Sequence, residues 1–314
     1  MKKKNFLLNI KKNILLKNHT TFKIGGPAKY FFISRKKEDL IEAIKWAKVN
    51  KVPFFILGSG SNVLVSDKGF DGLIIKMKNS KFIIKNLSLY VESGVLVKTL
   101  VQETGKRGLS GLEWAGGLPG TLGGAIFGNA GAFGGEIKDN IIFVEAIDKN
   151  LNIRKLKKDE CRFSYRFSIF KKNSWIVLSA LMKLKNGDKK TIQNIARLHI
   201  RQRKERGPLE YPNAGSIFKN YNLKKAPLKI KEIFKDVIKT DPFPVIPAAA
   251  IIAKAGLKKF RIGGAQVSEK HPNFIINLGN AKADDVRNLI NFVKKRVKNK
   301  FGIVLEEEIR YLGF

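Results

Sequence analysis

A single cysteine, Cys161, occurs among 314 residues, so no internal disulfide framework can form, and the scarcity fits a reducing compartment. Histidine is nearly as rare. His19, His199 and His271 are scattered, without a cysteine or carboxylate cluster at ligand spacing, so neither a structural nor a catalytic metal is expected. Long apolar runs are missing too, and no stretch approaches the roughly 18 residues that a membrane-spanning helix needs. The opening Met1-Lys-Lys-Lys-Asn-Phe-Leu-Leu-Asn-Ile starts like a signal peptide, but Lys11 and Lys12 cut it before an apolar region can form. These absences predict a soluble, cytoplasmic protein.

Acidic residues are in deficit, 26 against 61 basic ones, which gives a net charge of +35 and an isoelectric point near 10.2. Such an excess can signal nucleic-acid binding. Here lysine outnumbers arginine by 48 to 13 and is spread along the whole chain. There is no aromatic-interleaved basic patch and no recognisable nucleic-acid module. Abundant lysine, asparagine and isoleucine fit drift toward AT-rich codons, so no nucleic-acid partner is expected, although a positive field would still attract anionic nucleotides.

What is present is enough for a large folded protein: 44% hydrophobic residues in a chain long enough for two or three domains. Residues 38–49 place Leu40, Ile41, Ile44 and Ala47 on one helical face, and Pro53–Leu57 reads as a buried strand before Gly58-Ser-Gly-Ser-Asn62. Paired short strands are predicted over 82–94, a helix over 95–104, strands at 141–147, 153–156 and 175–184, and a polar, basic helix over 189–205. Gly207-Pro208 and the following Glu210–Gly215 form the best boundary. Beyond it come an alanine-rich helix (248–255), a Gly263-Gly264 turn, a strand (273–277), and a helix with Val286, Leu289, Ile290, Val293 and Val297 on one face. Ile303–Leu312 reads as a closing strand. Helices and strands mix without βαβ alternation, so the expected class is α+β.

Nine of the 28 glycines fall within Gly116–Gly135. Glycine costs backbone entropy, so either tight turns or a ligand lying on backbone N–H groups must require it there. Gly58-Ser-Gly-Ser-Asn62 is a second phosphate-loop candidate, but it lacks the third glycine of a dinucleotide fingerprint and is followed by strand-like Val63-Leu-Val65. No Walker loop is present. Two glycine loops without either nucleotide fold point to a different dinucleotide cradle.

Thr21-Phe-Lys-Ile-Gly-Gly-Pro-Ala28, Leu57–Val65, Gly117-Leu-Pro-Gly-Thr-Leu-Gly-Gly124, Asn129-Ala-Gly-Ala-Phe-Gly134 and Tyr165-Arg-Phe-Ser-Ile-Phe170 follow one another along the chain. Ala214-Gly-Ser-Ile-Phe-Lys-Asn220, Gly263-Gly-Ala-Gln-Val-Ser268, His271–Asn277 and Leu305-Glu-Glu-Glu-Ile-Arg310 complete the series. In content and order the nine segments resemble the UDP-N-acetylenolpyruvoylglucosamine reductase family. The resemblance implies an α+β fold with a two-part FAD-binding region of the vanillyl-alcohol-oxidase/PCMH type and a C-terminal α+β substrate-binding domain. It divides the chain into residues 1–78, residues 79–205 joined by the closing strand 303–314, and residues 206–302.

The resemblance also implies roles. Gly58, Ser59, Gly60, Ser61 and Asn62, with Gly117, Pro119, Gly120, Thr121, Gly123 and Gly124, would hold the FAD pyrophosphate. Asn129, Ala130, Gly131 and Gly134 would line the cofactor site. Arg166, Ser216 and Glu308 match catalytic positions, and Lys204, Asn220, His271 and Arg310 match positions near substrate. NADPH would be the hydride donor, and the partner a small nucleotide sugar bound by a monomer. In that chemistry hydride adds to C3 of an enol ether and negative charge develops at C2. A planar guanidinium such as Arg166 suits the charge, and Ser216 is a plausible proton donor if a cation or relay assists it.

Alternatives stay open residue by residue. Ser216 could be a turn serine, Arg166 could pair with a surface carboxylate, and Glu308 could be a solvated strand residue. Period-2 geometry puts Glu306, Glu308 and Arg310 on one face of the closing strand, about 6.6 Å apart in steps of two, opposite Leu305, Ile309 and Tyr311. Cys161 reads as a packed, inert thiol. Some family members carry a tyrosine on an insertion between the Arg and Ser motifs. Here only 50 positions separate Arg166 from Ser216, so the chain resembles the shorter type. Two other functions compete: an FAD-dependent sugar or alcohol oxidase of the same cofactor fold, and a basic non-enzymatic protein on a decayed reductase fold. Neither glycine loop has the histidine or cysteine that usually tethers flavin in such oxidases, and intact Arg166, Ser216 and Glu308 argue against decay.

Overall fold

The computed structural model describes residues 9–241 and 243–314, so the signal-like stretch before Asn9 lies outside the described residues. The strands that build the main sheets are, in chain order, β1 (Lys11–Leu15), β2 (Pro27–Ser34), β3 (Phe54–Leu57), β4 (Val63–Val65), β5 (Phe70–Met77), β6 (Phe82–Lys85), β7 (Ser88–Glu92), β8 (Ile141–Ile147), β9 (Ile153–Lys157), β10 (Ile176–Lys183), β11 (Asn213–Ser216), β12 (Arg261–Ile262), β13 (Ala265–Val267), β14 (Phe274–Asn277) and β15 (Arg310–Leu312). The helices used below are α1 (Lys37–Val49), α2 (Val97–Lys106), α3 (Leu122–Gly128), α4 (Lys189–Arg206), α5 (Ala248–Lys254) and α6 (Ala283–Phe301).

The chain forms two compact units. One holds the described residues up to Ile14 with Ala28–Ser59 and Asp71–Arg203; the other holds Leu15–Pro27, Gly60–Phe70 and Lys204–Phe314.

The first unit carries a four-stranded sheet of order β1-β2-β5-β3 and a five-stranded sheet of order β9-β8-β10-β7-β6. Each has its own core. Under the first sheet, α1 buries Leu40, Ala43, Ile44 and Ala47 against Leu73, Ile75 and Met77 of β5. The expected face therefore forms, with Ala43 completing it and Ile41 half-buried. Asp39 starts α1 by accepting hydrogen bonds from the backbone N–H groups of Lys36 and Arg35, at 3.1 and 3.2 Å, as acidic first-turn residues do. Removing Ile44 to alanine would cost about 2–5 kcal/mol by the cavity it leaves. Alternation along β5 sends Leu73, Ile75 and Met77 into this core and leaves Ile74 and Lys76 on the opposite face. The second core joins α2, α3 and the five-stranded sheet around Leu100, Leu122, Ile126, Val144 and Phe170.

The second unit centres on α6, which buries Val286, Leu289, Ile290, Val293 and Val297 as its spacing predicts and ends at Gly302 with φ +70°. The helix covers a four-stranded sheet of order β11-β14-β13-β12. Its core also takes in Phe22, Ile24 and Leu64 from far upstream.

The closing segment departs from expectation. Only Arg310–Leu312 is strand, and it pairs in parallel with β4 of the second unit, Arg310 opposite Val63, rather than joining residues 79–205. The cause lies just before it. Glu308 donates its N–H to the Ile217 carbonyl at 2.7 Å, and Lys219 donates to the Glu306 carbonyl at 2.8 Å, so this stretch follows the residues after β11. Only at Arg310, whose N–H reaches the Asn62 carbonyl at 3.1 Å, does the chain meet β4.

Candidate active site

In the first unit the two glycine segments meet. A Cβ on Gly58 would lie 2.6 Å from Thr121 Oγ1, so the close approach requires glycine. Thr121 precedes α3 and its hydroxyl accepts from the Gly124 N–H at 3.4 Å. The glycine-rich segment makes the tight turns and close approaches that were one of the two purposes its composition left open. A Cβ on Gly116 would strike the Ala196 carbonyl of α4 at 2.4 Å, whereas Gly128 faces nothing within 4 Å. Between them Gly117, Gly120 and, further on, Gly134 adopt positive φ. Asn129 caps α3 in the left-handed region and is fully buried. It donates to Glu136 Oε1 at 3.1 Å and to the Ser164 carbonyl at 3.0 Å, so its side chain shapes the loop that carries Ala130 and Gly131.

Arg166 stands at φ +54° in a tight turn closed by reciprocal backbone bonds between Ser164 and Phe167. A non-glycine residue held there is strained, and such strain concentrates at functional positions. Its guanidinium donates to the Gly131 carbonyl at 3.2 Å, which aims it at the glycine-rich segment.

Within the second unit, Asn62, Ser216 and the Glu308–Arg310 segment are tied together. Asn62 Nδ2 donates to the Glu308 carbonyl at 3.1 Å, and Ile217, next to Ser216, accepts from Glu308. Gly215 adopts φ +76°, with the Ser61 carbonyl 4.0 Å from where its Cβ would be. Ser216 is opposite Phe274 in the β11–β14 register. Leu305 and Ile309 are buried, as alternation predicts, and Glu308 is half-buried. Glu306, expected on the same face, pairs with Lys219 at 3.1 Å and Lys225 at 3.8 Å on the exposed surface.

His271 sits in a turn, its N–H on Ser268 Oγ at 3.2 Å and its ring edge-on to Phe274 at 4.8 Å. Burial, with Lys239 nearby, holds the imidazole below its usual pKa, and its Nδ1 is buried without a hydrogen-bond partner. Asn220 accepts from the first N–H of α5, that of Ala248, at 3.2 Å. Lys204 is exposed. Cys161 is inert, since burial and then Glu160 and Asp159 push its thiol up to about 12.

A model of the FAD binding domain family matches residues 28–157, and a model of the C-terminal domain of UDP-N-acetylenolpyruvoylglucosamine reductase matches residues 207–312. The chain is 42% identical over 299 residues to the UDP-N-acetylenolpyruvoylglucosamine reductase of Caldanaerobacter subterraneus subsp. tengcongensis, covering 95% of this chain and 92% of that one. Against the enzyme of the same description from Caldicellulosiruptor bescii, identity is 42% over 313 residues, 99% of this chain and 93% of the relative. The chain belongs to the UDP-N-acetylenolpyruvoylglucosamine reductase family. Its structure matches the crystal structure of UDP-N-acetylenolpyruvylglucosamine reductase (MurB) from Thermus caldophilus with a TM-score of 0.76 at 32% identity, over 96% of this chain and 99% of that one. The fold is accordingly α+β, with a vanillyl-alcohol-oxidase-type FAD-binding region and a C-terminal reductase domain.

The FAD of this family can be tested against the residues present. The Gly58–Thr121 contact leaves bare backbone at the meeting of two loops. Close by in sequence to the residues lining the adjacent cavity, Asn79 Oδ1 and Ser93 Oγ are buried without hydrogen-bond partners. Orphaned buried polar atoms are rare and mark missing ligands or waters. The residues fit the cofactor.

Sequence reasoning missed Arg203. Its Nε donates to the Gly116 carbonyl at 2.8 Å, while its Nη2 is buried and has no partner. The guanidinium lies 5.0 Å over the Phe133 ring, which stacks at 4.2 Å on His199. Burial, and then repulsion from Arg166, lower its pKa to about 10. A buried guanidinium with an unpartnered Nη2, beside a second guanidinium, suits an anionic ligand. A signal existed: Ile192, Ala196, His199 and Arg203 recur at i, i+4, i+7 and i+11, so a basic residue continues the buried stripe of α4.

Proposed function

We propose that this protein reduces UDP-N-acetylenolpyruvoylglucosamine to UDP-N-acetylmuramate with NADPH, through a non-covalently bound FAD, as a cytoplasmic step of peptidoglycan precursor synthesis that serves wall growth and cell division. The observation that carries the reading is likeness to the named reductases at 42% identity over nearly the whole of both chains. It acts as a monomer on a small nucleotide sugar, without nucleic-acid or membrane partners. Residues 1–78 and 79–205 serve the cofactor and residues 206–302 the substrate, while the closing strand contributes Glu308 and Arg310.

Bound FAD would supply the relay of hydride from NADPH to substrate. Gly58–Asn62 and Gly117–Gly124 would hold its pyrophosphate, and Gly131 and Gly134 would line its site. The chain's own side chains handle the rest. Arg166, held by the Gly131 carbonyl, stabilises the charge that develops at C2 when C3 accepts hydride. Arg203 adds a second cation on the same segment. Ser216 delivers the proton to C2, with Glu308 orienting or reprotonating it. Arg310, Lys204, Asn220 and a neutral His271 hold the nucleotide sugar.

The test is colour. The purified protein should be yellow, bleach with NADPH, and recolour when the enolpyruvyl sugar nucleotide is added. A colourless preparation that takes up no FAD would refute the reading, as would a reduced flavin that the substrate fails to reoxidise.

A further inference from the structure

Gly131 and Glu136 are partners in a short antiparallel ladder, and the Ile137 N–H donates to the Ala130 carbonyl at 2.9 Å just beyond it. Glu136 is only 7% exposed, an uncommon state for a carboxylate. A Cβ on Gly131 would lie 2.8 Å from Glu136 Cγ, so glycine at that position leaves room for the glutamate side chain. Each carboxylate oxygen has a partner. Oε1 accepts from Asn129 Nδ2 at 3.1 Å, and Oε2 pairs with Lys138 Nζ at 2.5 Å. Asn129 Nδ2 also donates to the Ser164 carbonyl at 3.0 Å, and Asn129 Oδ1 accepts from the Lys138 N–H at 3.3 Å. Donor and acceptor ends of this buried amide are both engaged, which fixes its orientation.

These bonds lead to Arg166 by two routes. Ser164 begins the turn whose reciprocal bonds with Phe167 enclose Arg166 at φ +54°, a strained conformation that persists only where surrounding contacts hold it. Gly131, the ladder partner of Glu136, supplies the carbonyl that accepts from the Arg166 guanidinium at 3.2 Å. Through Asn129, Glu136 braces the backbone of Arg166; through Gly131 it braces the group on which the side chain rests. We propose that Glu136 is a positioning residue of the substrate half-reaction: it holds Asn129 and Gly131 so that the Arg166 guanidinium meets the charge developing on substrate. The inference rests on the role given to Arg166 above. The contribution is geometric, since a displaced donor stabilises a developing charge less than an aligned one.

Stopped-flow measurements on the flavin-loaded enzyme read the two half-reactions separately, in wild type, Glu136→Met and Glu136→Gln. Glu136→Met should slow substrate-driven reoxidation about 10- to 100-fold, the scale on which a displacement of up to about 1 Å tells in rate. Flavin content and NADPH-driven reduction should match wild type. Glu136→Gln should recover most of the rate, because an amide oxygen still accepts from Asn129. In an Arg166→Ala background Glu136→Met should cost nothing further, since a brace acts only through what it holds. Loss of flavin, or equal slowing of both half-reactions, would reveal a merely structural glutamate and overturn the proposal. So would an unchanged reoxidation rate, a Glu136→Gln enzyme as slow as Glu136→Met, or the full cost of Glu136→Met persisting without Arg166. Should Glu136→Met fail to fold, Glu136→Asp carries the same comparison, because it keeps the charge but withdraws the oxygens by one methylene. A wild-type flavin that substrate fails to reoxidise would remove the reductase reading itself, a result distinct from normal wild-type turnover that the Glu136 variants leave untouched.

Discussion

Arg203 invites a substitution whose effect runs against habit. Truncating a buried, hydrogen-bonded arginine ordinarily destabilises a protein. Here the guanidinium pKa falls from 12.5 to about 10, first through burial and then through Arg166. A cation whose folded-state pKa is depressed opposes folding at every pH below that value, and the opposition fades only as pH rises past about 10. The shift corresponds to about 3 kcal/mol of opposition at neutral pH. Against it stands one hydrogen bond, Nε to the Gly116 carbonyl at 2.8 Å, worth about 1.5–3 kcal/mol for a charged donor. Arg203→Met removes both terms and puts an apolar side chain where the guanidinium lies 5.0 Å over the Phe133 ring. The ligand-free variant should therefore melt at the wild-type temperature or a few degrees above it, since each kcal/mol moves Tm by about 2–4 °C in a unit of this size. FAD and substrate should then stabilise wild type much more than the variant, because the unpartnered Nη2 is where an anion would bind. Differential scanning fluorimetry with and without ligands reads both quantities. A ligand-free Tm lower by 5 °C or more, or an undiminished ligand-induced rise, would refute the reasoning.

Ser216→Ala should leave NADPH-driven flavin reduction intact and slow the substrate half-reaction by about 10²–10⁴-fold, the usual worth of a general acid; stopped-flow reoxidation at wild-type speed would exclude the role. Glu308→Gln is nearly isosteric and its backbone bonds to Ile217 and Asn62 do not depend on charge, so fold and FAD content should persist while the substrate half-reaction slows. Arg310→Ala should mainly raise KM for the anionic substrate, and steady-state kinetics in which neither variant differs from wild type would sink that pair of assignments. Cys161, its thiol pushed up to about 12, should resist a disulfide reagent at pH 8 in the native protein and react once urea unfolds it; fast native labelling would contradict the burial.

The regular parts of the fold were legible because their signals are local. The apolar stripes of α1 and α6 and the strand-like runs of β8 and β10 need only a few turns of helix or a few residues of strand to declare themselves. The motifs likewise gave the candidate residues their addresses. Less legible was whatever depends on a distant partner. The expected ten-residue closing strand shrank to Arg310–Leu312 because residues 306–308 bond to the segment after Ser216, a pairing across some ninety positions that periodicity cannot register. Arg203 was hidden differently: in a helix this basic, one more arginine looks like solvent-facing charge, and only its phase relative to Ile192 and Ala196 sets it apart.

The parallel pairing of β4 with β15 has a consequence for biosynthesis. Val63–Val65 leave the ribosome long before their partner strand Arg310–Leu312, and Phe22, Ile24 and Leu64 share a core with residues 214–309. Contacts of such sequence separation must await the downstream partner, and loop closure over that distance slows their formation. The segment Asp71–Arg203 can condense during translation, while these three buried hydrophobic residues stay without their core until residues 214–309 have emerged. Translation that stops before Arg310 would leave β4 with an open edge, and the unfinished product would be a target for chaperones, proteases and aggregation.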